Sequence, residues 1–172
     1  LIVKRGTDLE ARIRGGGQEM GRRSGTENVI GIAGFGAAAQ AAVDEIGDGT
    51  WDRIAELRKI LENIIAAGAN ETIFVGKDAD RLPNTSCFIT PGWKGETQVM
   101  TMDLAGFAIS AGSACSSGKV KSSGVLQAMG FSAADAGCAV RVSLGPETTR
   151  NDVTRVAESW LKHLNKHRAR AA

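Results

Sequence analysis

Apolar residues recur at two spacings along this chain, and the switch between them lays out its elements. Over 51–67, Trp51, Ile54, Leu57, Leu61, Ile64 and Ile65 fall at helical spacing, with Arg53, Glu56, Lys59 and Glu62 opposite. That predicts an amphipathic helix with one apolar stripe and one charged face, which Gly68 can stop. Val153, Val156, Trp160, Leu161 and Leu164 give a last helix, over 149–166, the same stripe. Short strands are predicted over 72–75 and 85–90, separated by a loop with Pro83, and over 107–110 and 139–144. In the last of these Val140, Val142 and Leu144 share one face, and Arg141 and Ser143 share the other. Helices over 96–104 and 124–129 fill the intervals.

Ahead of these elements, 27–46 predicts a helix with Gly31, Ala33, Gly34, Ala37 and Ala38 on several faces. Small residues let another backbone approach closely, so this helix is expected to be buried. Ser24 and Glu27 have capping-box spacing at its start. After residue 43 the order is helix, strand, strand, helix, strand, helix, strand, helix. That order predicts an α/β sandwich with helices packed on a small sheet.

Composition narrows the class. The 172 residues suffice for one domain or a piece of a larger one, and 42% hydrophobic with 23% charged residues supports a soluble chain with a core. A net charge of +2 and the absence of tyrosine argue against a nucleic-acid partner. The longest apolar run, 29–43, is broken by Gln40 and falls short of the ~18 residues that suggest a membrane span, so no membrane partner is expected. Cys87, Cys115 and Cys138 are odd in number and widely spaced, which fits neither a disulfide framework nor a metal knuckle. A reducing, cytoplasmic setting is expected, and no signal peptide is read. The chain opens Leu-Ile-Val without methionine, like the tail of a strand, and reads as a fragment or a processed chain.

Three stretches carry candidate chemistry. "GGGQEMGRRSGTENV" offers glycine backbone N–H groups, Arg22 and Arg23, the Thr26 hydroxyl and a following helix start. These are the parts of an anion site, or of an ordinary Gly-rich turn with solvated arginines. In "AVRVSLG", Arg141 interrupts an apolar strand; its planar fork matches a carboxylate, and the bland reading is a solvent-facing strand residue. In "ISAGSACSSGKV", Cys115 sits among glycines and serines with no base beside it. Most free cysteines are small buried hydrophobes, which suits Cys87 and Cys138. The setting of Cys115 instead suits a mobile, exposed thiol. His163 and His167 are read as a solvated basic end, with no metal site.

The order "GGGQEMGRRSGTENV", "LPNTSCFIT", "SAGSACSSG", "AVRVSLG" resembles the C-terminal portion of cysteine desulfurases of the NifS/IscS-like class, fold-type I pyridoxal phosphate enzymes of the class V aminotransferase superfamily. The resemblance implies Cys115 as the nucleophile that becomes a persulfide. It implies Thr26 as the residue reaching the cofactor phosphate of a partner subunit, and Arg141 as the holder of the substrate α-carboxylate. It further implies L-cysteine as substrate, a homodimer, and an iron–sulfur scaffold or a thiolation relay as sulfur acceptor. The family's Schiff-base lysine lies in a Ser-x-His-Lys motif, and this sequence has no His-Lys pair. The chain is therefore expected to be a little under half of the enzyme and inactive alone. Residues 1–43 would be the end of the large cofactor-binding domain, and 44–172 the small α/β domain. The alternatives are a stand-alone sulfur carrier or regulatory module, and a relative that lyses selenocysteine or cystine.

Overall fold

The computed structural model describes residues 3–112 and 123–171, in two compact units, Leu1–Gly47 and Asp48–Ala172. In the first unit the Gly/Arg stretch contains a short 3-10 turn, Gln18–Gly21, in which Glu19 and Met20 adopt left-handed φ values of 51° and 57°. Helix α1 follows over Val29–Gly47. Its start is capped by Asn28, whose Oδ1 accepts from the Gly31 amide at 3.0 Å. The expected capping box is not formed, because the Ser24 hydroxyl donates to the Ile13 carbonyl instead.

Two further expectations about α1 are corrected. No residue of the helix is buried, and Ile30 and Phe35 are 88% and 75% exposed. Small residues permit close packing but do not supply the neighbour, and the rest of the first unit does not cover this helix. The apolar run ends at Val43, where Asp44 and Glu45 follow, but helix α1 does not. It continues through Gly47, and the 19 residues are long and apolar enough to cross a membrane by length and composition.

The second unit begins with helix α2 (Thr50–Gly68) and strands β1 (Ile73–Phe74) and β2 (Thr85–Ile89). Helix α3 (Gly95–Leu104) leads to β3 (Ser110–Ala111). Short helices α4 (Gly124–Ala128) and α5 (Ala133–Ala136), strand β4 (Ala139–Ser143) and helix α6 (Arg150–Ala171) complete it. The α/β class expected from the pattern is the one found. The strands form an antiparallel sheet in the order β1-β2-β4-β3. Helix α5 was not predicted, although "SAAD" carries its cap: Ser132 accepts from the Asp135 amide and donates to its carboxylate.

Alternation along the strands separates the two sheet faces. Phe88, Val140 and Val142 look onto α2 and α6, joining Ile54, Leu57, Leu61, Ile65, Val153, Ala157, Trp160 and Leu164 in the main core. Gly68 ends α2 in a different way from the expected one. A Cβ there would lie 2.7 Å from a Leu161 methyl, so the glycine admits α6 rather than supplying a left-handed turn. On the other face Ile89 and Ala139 meet Val75, Leu126, Ala136 and Cys138 in a smaller cluster. That cluster leaves the middle of the face open.

Candidate functional site

Strand β4 places its central residue on the open face. Val140 and Val142 are 1% and 6% exposed, whereas Arg141 between them is exposed. Among the described residues the Arg141 guanidinium has neither an ion pair nor a hydrogen bond. Register puts two residues directly beside it, Cys87 on β2 and Ser110 on β3. All three line a cavity of about 810 Å³, with Val125, Leu126 and Met129 of α4. Burial pushes the Cys87 thiol above its ordinary pKa, and the positive charge of Arg141 partly opposes this. Cys87 is thus only half-buried and faces an arginine, whereas Cys138 is buried as expected.

Cys115 lies outside the described residues. The residues flanking that segment are described, and both Gly112 and Ser123 line the cavity that holds Arg141. Gly112 leaves β3 with φ 63°, a left-handed conformation suited to glycine. Ser123 begins α4, its hydroxyl accepting from the Leu126 amide.

Thr26 belongs to the first unit and is exposed. The arginines beside it are neither solvated, as an ordinary turn would have them, nor left open for an anion. Arg23 Nη1 donates to the carbonyls of Ser24, Gly25 and Thr26 at 3.2, 2.8 and 3.1 Å, and Arg22 donates to the Thr7 carbonyl. The Gly25 amide is likewise engaged, by Gln18 Oε1. The arginines brace the loop, while the Thr26 hydroxyl makes no hydrogen bond among the described residues.

The expected solvated basic end is also modified. His167 stacks on Trp93 with ring centroids 5.5 Å apart, and its Nε2 lies 3.2 Å from the Gly92 carbonyl. Burial and the nearby Lys166 and Lys162 lower the pKa of His163. No group of metal-ligating side chains occurs among the described residues.

Sequence reasoning singled out Arg141 but not its neighbours Cys87 and Ser110. Their alternation was legible; the register that aligns three strands is not encoded by any local pattern.

Known proteins resemble this chain along most of its length. Residues 7–156 match the family described as aminotransferase class-V, and the chain belongs to that family. It is 39% identical to a cysteine desulfurase of Cereibacter sphaeroides over 158 residues, 92% of this chain and 40% of that protein. With a cysteine desulfurase of Gluconacetobacter diazotrophicus the identity is 42%, over 92% of this chain and 39% of the relative. Among solved structures, a NifS-like protein from Rickettsia africae superposes with a TM-score of 0.81 at 30% identity, covering 92% of this chain and 41% of that one. The chain thus spans about 40% of the length of the curated relatives it matches.

Class V aminotransferases as a family use pyridoxal phosphate, and beside the engaged arginines Thr26 is the residue of this loop whose hydroxyl has no partner among the described residues. The free, exposed Thr26 hydroxyl is a donor suited to a phosphate oxygen.

Proposed function

We propose that this chain is the thiol- and carboxylate-binding part of a cysteine desulfurase, which converts L-cysteine to L-alanine and takes up the sulfur as a persulfide on Cys115. The observation that carries this reading is the Arg141 guanidinium, unpaired among the described residues, in a cavity bordered by both flanks of the Cys115 segment. The relatives named cysteine desulfurase support it.

Arg141 receives the substrate carboxylate in its fork, which fixes the amino acid by one end. Thr26 donates to a phosphate oxygen of the cofactor, across a homodimer interface. Pyridoxal phosphate, when bound, supplies the electron sink that weakens the substrate Cβ–S bond. The Cys115 thiolate attacks the substrate sulfur; an S–S bond forms as the C–S bond breaks. Carbon keeps the electron pair and takes a proton, so the products are alanine and a Cys115 persulfide. No Ser-x-His-Lys sequence occurs in these 172 residues, so the proposal assigns the Schiff-base lysine to another stretch of polypeptide and expects no turnover from these residues alone. The persulfide then passes to an acceptor, an iron–sulfur scaffold or a thiolation relay, in the cytoplasm.

The test uses the full natural polypeptide containing this segment, with pyridoxal phosphate, reductant and L-cysteine. Alanine release is expected, together with one persulfide per Cys115. Cys115→Ser is expected to abolish both the persulfide and sulfur transfer. A serine variant that still forms persulfide at the parent rate overturns the assignment.

A further inference from the structure

On the open face of the sheet Arg141 has neighbours that bear on its chemistry. Arg141 is the central member of a row that crosses three strands, with Cys87 as its Cα partner on β2 and Ser110 on β3. Residues directly opposite in a ladder project from the same face, with Cβ atoms about 4.5–5.5 Å apart. Each of the three also lines the same cavity. Ser110 is exposed, and its hydroxyl makes no hydrogen bond among the described residues. Among the described residues the row therefore holds a planar fork and a hydroxyl without partners, and a thiol.

We propose that Cys87, Arg141 and Ser110 form one carboxylate subsite, in which Ser110 is a second donor to the carboxylate and Cys87 is the neutral flank that leaves the fork of Arg141 unpaired. The proposal rests on the reading that Arg141 receives the substrate carboxylate, and it deepens that reading. An ionised carboxylate has about four lone-pair positions, and a guanidinium fork fills two of them. A hydroxyl on the adjacent strand meets a third. On the other side an acidic residue would pair with Arg141 and occupy the fork. A cysteine there cannot do so while protonated, and its half-buried position favours the protonated thiol. The thiol and the hydroxyl thus act in opposite ways on one guanidinium: Ser110 adds to its ligand, and Cys87 abstains from competing for it.

The experiment measures KM and kcat for L-cysteine, and the inhibition constant of propionate as a competing carboxylate, in the full polypeptide with its cofactor. Ser110→Ala is expected to raise KM and the propionate constant together by about ten- to a hundredfold, the range of one hydrogen bond to a charged group, with little change in kcat. Ser110→Thr, which keeps the hydroxyl, is expected to restore both. Cys87→Asp, which sets a carboxylate across from Arg141, is expected to raise the propionate constant more than tenfold. Circular dichroism of each variant confirms that it folds. Unchanged constants in Ser110→Ala and Cys87→Asp, with both constants raised in Arg141→Gln, overturn the row and leave Arg141 as the carboxylate holder. Constants unchanged in Arg141→Gln as well overturn the row and the reading beneath it.

Discussion

Val140 and Arg141 are consecutive residues of one strand, yet they look onto different surroundings. The face of Val140 is closed by two long helices and three large rings. Trp160 is 1% exposed, meets Phe88 edge-on at 5.3 Å and lies 5.5 Å from Trp93. Its indole N–H donates to Gln98 Oε1, and the Gln98 amide in turn donates to the carbonyls of Trp93 and Cys138 at 2.8 and 3.0 Å. Every polar atom of that buried network has a partner, as burial demands. The face of Arg141 has an apolar cluster around Ile89 and Ala139 and, among the described residues, a guanidinium and an edge-strand hydroxyl without hydrogen-bond partners. One face uses its side chains to hold the sheet together. The other keeps polar groups unspent, which is the state a binding site requires.

If that division is right, the largest loss of stability comes from the closed face. Trp160→Ala removes the central ring and leaves Gln98 Oε1 without its donor, and is expected to cost about 3–5 kcal/mol. Urea denaturation of the full polypeptide followed by circular dichroism measures this. A cost below about 1 kcal/mol would mean that the helix-covered face is not what secures the sheet.

A smaller effect is expected at the seam where α3 meets the sheet. A Cβ on Gly95 would stand 2.5 Å from the Ala139 carbonyl and 3.1 Å from the Ala111 Cβ. The first contact is backbone and cannot swing away, so Gly95→Ala is expected to cost about 1–3 kcal/mol by overpacking. Because Ala111 adjoins Ser110 on β3, the same variant is expected to disturb the open face as well. Its denaturation midpoint, measured beside that of the parent, checks the first part. A weaker affinity for propionate checks the second.

The closed face was largely legible in the sequence, for a physical reason. Ile54, Leu57, Leu61 and Ile65 on α2, and Val153, Trp160 and Leu164 on α6, repeat at the helical period because one stripe of each helix is buried, and burial is written locally. The alternation that exposes Arg141 was legible on the same grounds. What failed was everything set by a distant partner. Small residues in α1 suggested burial that the described residues do not provide. Gly68 does end α2 as expected, but the need for glycine there comes from Leu161, far along the chain, and not from a left-handed cap. Cys87 looked like an ordinary core cysteine because nothing near it in sequence announces that Arg141 is its partner across the ladder. The candidate site was therefore readable as single residues, and its grouping was not.

The finest test of the comparison is the titration of Cys87, whose neighbourhood is half core and half site. Burial acts first, disfavouring the thiolate and raising the pKa, while the charge of Arg141 works against that rise. An ordinary cysteine titrates near ~8.5. As pH climbs through that value the unfolded chain loses the proton before the folded one does. The contribution of this group to stability is thus present below the ordinary pKa and fades as pH rises through the raised one. The rate of Cys87 alkylation by iodoacetamide, followed by mass spectrometry across pH, should accordingly reach its midpoint above the ordinary thiol range. Removing the opposing charge with Arg141→Gln should move that midpoint higher still. A midpoint at or below the ordinary value would place Cys87 in a solvated setting rather than a half-buried one. An upward shift missing from the arginine variant would mean that the two side chains do not sense each other, and the row on the open face would lose its electrostatic link.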